Sequence, residues 1–395
     1  MKLLWIGLGL SQQEKAEILR SGGKLMSGYV SHTSLMEGLD IQGVDMDSIN
    51  SYEDGILDWT RVPRLTWSRN GHSEDVTVSY RKILYLSILE RTYTLSKEAR
   101  RWAIAHREQE DVRVLVYSMH SPFMHAALEV KRIIPGAKVY LITPDLPQYM
   151  DLAMSRVKKI LKWIDWQQIK LLNRKIDGFI LYSKHMADFL GLEDDRWMLM
   201  EGSFDPSALK QQLPKQPKDT FAVMYSGVLD RRYGIPELLE AMKLLPENVE
   251  LWFTGGGNAA EDIEAAAQAD HRIKLFGFLP SRDELLEKQH EADCLISTRS
   301  PQEPGSAYCF PSKLFEYLIS GNPVISTKIL GIPEEYFDFM IPLESIDPEE
   351  IARCIRRVAA MSPEVRDKIG KEGRNFVLEN KSNTAQCARI LEFIK

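Results

Sequence analysis

Short runs rich in valine, isoleucine, leucine and aromatic residues recur along the chain. Between them lie segments whose apolar positions repeat every three to four residues, the pattern of parallel strands buried between helices. In the first half the runs predict strands at Leu3–Gly7, Val112–Ser118, Lys138–Ile142, Gly178–Ser183 and Trp197–Met200. In the second half they predict Phe221–Ser226, Val249–Thr254, Arg272–Phe276, Asp293–Ser297 and Pro323–Ser326. The helical period falls on Arg81–Arg107, Pro236–Leu244, Glu261–Gln268, Arg282–Gln289 and Lys313–Ile319. Pro348–Met361, Pro363–Leu378 and Ser382–Ile394 add three consecutive helices, the prolines lying near first turns. Asp40–Asn70 carries neither period, and no element is assigned there. Each half therefore reads as a doubly wound α/β unit.

Between Pro206 and Thr220 the chain is polar, holds Pro214 and Pro217 and loses apolar periodicity, as an interdomain linker does. At 395 residues the chain exceeds what one core usually serves, which fits two domains, 1–205 and 206–379.

Composition narrows the function. With 44% apolar and 27% charged residues the chain is an ordinary globular protein, and a net charge of −6 argues against a nucleic-acid coat protein. The four cysteines (294, 309, 354, 387) show no C-x-x-C spacing, so neither a zinc site nor a disulfide framework is indicated. The apolar run Leu3–Leu10 is short and lacks a cleavage signal, and reads as a buried strand. No apolar stretch approaches the ~20 residues of a membrane-spanning helix. A cytoplasmic protein is expected.

The richest segment for chemistry is Phe310-Pro311-Ser312-Lys313-Leu314-Phe315-Glu316. Pro311 and Ser312 are helix-start residues, and free amides at a helix start bind phosphate. Glu316, one turn on, can accept bonds from vicinal ribose hydroxyls. Tyr225-Ser226-Gly227-Val228-Leu229-Asp230-Arg231-Arg232-Tyr233-Gly234 sets a strand end and two arginines before a helix, where an open sheet binds ligands. Arginine forks suit a diphosphate.

These residues resemble glycosyltransferase family 4, the group 1 glycosyl transferases. The likeness runs in order through Tyr225-Ser226-Gly227, Gly234-Ile235-Pro236-Glu237, Phe253-Thr254-Gly255-Gly256-Gly257, Leu275-Phe276-Gly277-Phe278 and Phe310–Ile325. It implies a GT-B fold, two facing Rossmann-like domains with a cleft between them, the C-terminal helix 380–395 rejoining the first domain. It implies a retaining, metal-independent transfer from a nucleoside-diphosphate sugar, with no cofactor beyond that donor. By the resemblance Arg231 or Arg232 neutralises the diphosphate, with Gly227 at the strand end, and the backbone around Phe278 holds the base. The amides of Ser312, Lys313 and Leu314 meet phosphate, and Glu316 binds ribose. Where many members carry an acid, eight positions before that glutamate, this chain has Tyr308; where many carry arginine and lysine in the first loop it has Val228 and Tyr233.

In the first half the resemblance is looser. Gly22 and Gly23 sit in a loop that would face the donor phosphates, or form a plain turn. His120 and Asp145 each follow a strand and are candidate acid/base or polar groups at the site, or loop residues. Residues 156–175 hold seven Lys/Arg against one acid, interleaved with Trp163 and Trp166. That is a candidate membrane-surface face, suited to a polyprenyl-linked or other glycan acceptor at the inner leaflet, or else a solvated side of a core helix. Asp45-Met46-Asp47 is the one D-x-D triplet, expected to be coincidental. Two rival readings share this layout, a non-hydrolysing sugar-nucleotide epimerase and a non-catalytic nucleotide-sugar-binding partner. A nicotinamide dehydrogenase is disfavoured because Gly7-Leu8-Gly9 lacks the third glycine of its fingerprint.

Overall fold

The structure, a computed structural model, describes residues 1–20, 27–52, 61–81, 83, 87–149, 156–210, 215, 218–303 and 305–395. The chain forms two compact units, Met1–Ser203 with Asn383–Lys395, and Phe204–Ser382.

The first unit opens with β1 (Lys2–Gly7), α1 (Gln12–Arg20), α2 (Ser27–Ile41), β2 (Met46–Asn50), β3 (Arg61–Val62), β4 (Leu65–Trp67), β5 (Asp75–Thr77) and β6 (Tyr80–Arg81). It continues with α3 (Ser87–Ala105), β7 (Val112–Tyr117), α4 (Ser121–Ile133), β8 (Lys138–Thr143), α5 (Arg156–Asn173), β9 (Gly178–Leu181), α6 (His185–Leu190) and β10 (Trp197–Leu199). Eight strands lie in the order β10-β9-β8-β7-β1-β2-β5-β4, all parallel except the edge strand β4. Leu3, Leu4, Trp5 and Ile6 of β1 are fully buried, as a central strand covered on both faces must be.

Two expectations need correction here. Arg81–Arg107 is not one helix: Tyr80 and Arg81 pair antiparallel with Val62 and Arg61, and the described helix is Ser87–Ala105. The unpatterned stretch Asp40–Asn70 holds β2, a buried central strand, and Asp47, Ser48 and Asn50 explain why it shows no apolar signal. Each is buried but bonded. Asp47 accepts from Lys2 Nζ at 2.9 Å and Trp102 Nε1 at 2.8 Å, Ser48 donates to Asp75 at 2.5 Å, and Asn50 accepts from the Gly9 amide at 2.7 Å. Asp45 also pairs with Lys2, so the D-x-D triplet closes the amino end of the sheet.

The second unit comprises β11 (Phe221–Val228), α7 (Ile235–Met242), β12 (Val249–Gly256), α8 (Ala260–Ala269), β13 (Ile273–Leu275), α9 (Arg282–Glu291) and β14 (Cys294–Ser297). After these come α10 (Lys313–Ile319), β15 (Val324–Thr327), β16 (Ile341–Leu343), α11 (Pro348–Ala359) and α12 (Pro363–Asn380). Its six strands are parallel in the order β13-β12-β11-β14-β15-β16, with a hydrophobic core on each face. Counted along the unit this is 3-2-1-4-5-6, the dinucleotide-fold order.

The last helix, Asn383–Ile394, belongs to the first unit. Gly38 of α2 admits it: a Cβ there would lie 2.7 Å from Cys387 Sγ. Arg113 then ties the chain end to β7, donating to the Ile394 carbonyl at 2.6 Å and that of Lys395 at 3.1 Å.

Candidate functional site

Where strand order reverses in a parallel sheet, the loops leaving the two strands diverge and a crevice opens beyond their carboxyl ends. In the second unit the reversal lies between β11 and β14. Their ladder holds only Val223 and Met224, whereas β11 continues alongside β12 to Val228. Ser226 thus lacks a strand neighbour on one side, and the Tyr317 hydroxyl replaces it, accepting from the Ser226 amide at 2.8 Å and donating to its carbonyl at 3.0 Å. That clamp sets α10 at the crevice.

Three side chains gather there. Lys313 Nζ lies 3.8 Å from the Tyr225 ring centre and 5.7 Å from that of Tyr317. Loss of hydration, with the Arg299 charge added, lowers its pKa to about 7. Arg299, just past β14, donates to Glu303 at 2.5 Å and to Cys309 Sγ at 2.8 Å. Glu316 lies one turn below, 3.6 Å from Arg282 Nε. Burial pushes its carboxyl pKa up, while Arg282 and Gln289 pull it down. Gln289 also donates to Ser226 Oγ of β11 at 2.8 Å.

The other expected site residues are distributed unevenly. Gly227 is at this strand end, with φ of 117°. Leu314 N already donates to the Pro311 carbonyl at 2.9 Å, which leaves the amides of Ser312 and Lys313 at the helix start. Both arginine forks face carboxylates: Arg231 grips Asp262 at 2.5 and 2.8 Å, and Arg232 grips Asp230 at 2.9 and 2.8 Å. The second pairing holds the Asp230 carboxyl down at about 2. Phe278, 66% exposed, lays its ring over Gly256 at the end of β12. Tyr308 ends a single turn, Ser306–Tyr308, in the loop that also carries Glu303. Sequence reasoning had named the Lys313 amide but missed its ammonium, and missed Arg299 and Tyr317; the i, i+4 spacing of Lys313 and Tyr317 was the available signal.

In the first unit His120 and Asp145 follow the adjacent strands β7 and β8. His120 begins α4, and burial with the nearby Arg91 charge lowers its pKa to about 4, so it is neutral at physiological pH. Asp145 is exposed. Gly22 and Gly23 lie outside the described residues. His32, unremarked in the sequence, accepts from Trp5 Nε1 at 2.6 Å and Leu8 N at 3.0 Å, bracing the loop after β1.

Residues 220–361 match the model of the family described as Glycosyl transferases group 1. The second unit is a glycosyl transferases group 1 domain. The chain is accordingly a glycosyltransferase. No curated protein matches it. Among solved structures it is similar to Alr3699/HepE from Anabaena in complex with UDP, at 13% identity and TM-score 0.65, covering 99% of this chain and 100% of that one. A glycosyltransferase from Rickettsia africae ESF-5 matches at 15% identity and TM-score 0.65, over 100% and 98% of the two chains. The apo lipopolysaccharide outer core galactosyltransferase WaaB matches at 14% identity and TM-score 0.63, over 100% and 99%. These likenesses show the GT-B fold of the glycosyltransferase. Among its described residues no helix is long and apolar enough to cross a membrane.

Proposed function

We propose that this glycosyltransferase moves a sugar from a uridine-diphosphate sugar to a hydroxyl of a glycan or polyprenyl-linked acceptor, with retention of anomeric configuration and no metal requirement, in bacterial surface polysaccharide synthesis. The observation that carries the donor reading is the placement of Glu316. It is a half-buried carboxylate one turn below a helix start, at the switch point of a 3-2-1-4-5-6 sheet. Ribose hydroxyls donating to Glu316, diphosphate at the Ser312 and Lys313 amides, and the base beside Phe278 form a continuous path along the strand ends. Alr3699/HepE has been solved in complex with UDP-glucose, which favours uridine among the bases. WaaB, a lipopolysaccharide galactosyltransferase by description, favours a surface-glycan pathway. His120 and Asp145 are the proposed polar groups on the acceptor side.

A membrane-proximal acceptor is supported by α5. Ile160, Trp163, Ile164 and Leu171 are exposed on it, among Lys159, Lys170 and, just beyond its end, Arg174 and Lys175.

Titration of UDP and UDP-glucose into the protein and into Glu316→Ala tests the donor site. The variant should fold and bind about 10- to 100-fold more weakly, the loss expected for a charged acceptor of two hydrogen bonds. Unchanged affinity in a folded Glu316→Ala would remove the ribose role.

A further inference from the structure

The Lys313 ammonium is a cation with three donors. Among the described residues no carboxylate lies within ion-pair distance of it, and no hydrogen bond to it is made. It rests on the Tyr225 ring from β11 and beside Tyr317 from its own helix. The charged group facing it from beyond β14 is Arg299, a like charge whose own partner is Glu303. The Lys313 stem passes the end of β11: a Cβ on Gly227 would lie 3.9 Å from Lys313 Cδ. Among the described residues nothing else lies within 4 Å of that Cβ, where the strand ends at the crevice. By contrast, the two arginines of the neighbouring loop are neutralised by Asp262 and Asp230.

Resting on the donor reading above, we propose that the Lys313 side chain is the cation that contacts the diphosphate of the donor, and that the arriving anion, rather than any protein carboxylate, completes its ion pair. Tyr225 and Tyr317 seat the unliganded ammonium without competing for it, because a ring face attracts a cation but carries no net charge to be displaced. Arg299 adds positive potential at the same crevice while keeping Lys313 short of a proton until an anion arrives. At pH 7 and above, part of the population is therefore the free amine, and binding of the diphosphate takes up a proton.

Calorimetric titration with UDP-glucose, whose phosphodiester groups do not themselves titrate near neutrality, tests this in two buffers of different ionisation enthalpy at about pH 8, between the Lys313 value and that of an ordinary lysine. The unaltered protein should take up nearly one proton per nucleotide bound. Lys313→Met should bind about 10- to 100-fold more weakly with no uptake, and Lys313→Arg, permanently charged, should recover most of the affinity, again with no uptake. Equal affinity and equal uptake in Lys313→Met would overturn the inference while leaving the donor site standing. Failure of the unaltered protein to bind UDP-glucose would overturn the uridine donor reading itself, and this inference with it.

Discussion

Gly227 and Gly255 stand side by side in register on β11 and β12, both at positive φ, and a Cβ on Gly255 would lie 1.8 Å from the Gly227 carbonyl oxygen. The contact is with backbone, which cannot swing aside. Gly255→Ala is therefore expected to cost well over the ~1 kcal/mol of a simple left-handed strain, and to prevent soluble expression or lower the urea midpoint sharply. Gly227→Ala, whose Cβ would touch Lys313 Cδ at an ordinary 3.9 Å, carries the backbone strain alone and should be the milder variant.

Gly256 separates binding from folding. The nearest atoms to a Cβ there belong to the Phe278 ring, at 2.5 Å, and that side chain is exposed and able to turn away. Gly256→Ala should keep its unfolding midpoint within about 1 kcal/mol of wild type while displacing the ring. If the base lies against Phe278, UDP affinity falls several-fold in this variant and in Phe278→Ala alike, as isothermal titration would show. Unchanged affinity in both would move the base elsewhere.

The Tyr317 hydroxyl gives a third test. Among the described residues it is the partner of both main-chain groups of Ser226 on the side where β14 has diverged. Tyr317→Phe keeps the packing of a fully buried ring but leaves an amide and a carbonyl without partners. At roughly 1–3 kcal/mol for each orphaned group, the expected loss is about 2–6 kcal/mol in urea unfolding. A loss under 1 kcal/mol would mean that water enters the crevice deeply enough to replace the hydroxyl.

What could be read in advance follows from what each feature depends on. The second unit was legible because its strands are apolar runs and its turns are glycines fixed by local geometry, as at Gly227 and Gly255. β2 was not, because Asp47, Ser48 and Asn50 are buried there by partners at Lys2, Trp102, Asp75 and Gly9, distant in sequence. Glu316 could be placed by helix periodicity alone. The neutralisation of Arg231 could not, since Asp262 reaches it from α8. Nor could the state of Lys313, which depends on two ring faces and one arginine brought together by the strand order.

That state predicts a pH dependence of stability. A lysine whose folded pKa is lowered to about 7 binds fewer protons in the folded than in the unfolded protein between that pH and its ordinary 10.5. Its unfavourable contribution is complete below about pH 7 and fades as pH rises toward 10.5. Lys313→Met should thus raise the melting temperature most near pH 6 and progressively less as the solution becomes alkaline. A gain independent of pH would show that the ammonium is well solvated in the unliganded protein.

The exposed face of α5 makes the last prediction. Ile160, Trp163, Ile164 and Leu171 are between 52 and 63% exposed, at spacings that keep them on one side of a helix. An apolar stripe flanked by lysines is stabilised at an interface by burial of the rings and by anionic headgroups, the latter worth ~1 kcal/mol for each cation near the surface. The protein should co-sediment with phosphatidylglycerol vesicles, less so as salt rises, and weakly with phosphatidylcholine. Lys159→Glu should weaken binding by roughly fivefold or more and remove part of the salt dependence, whereas Trp163→Ser should weaken it at every salt concentration. Equal sedimentation of both variants and the unaltered protein would assign α5 a solvated face and place the acceptor in solution.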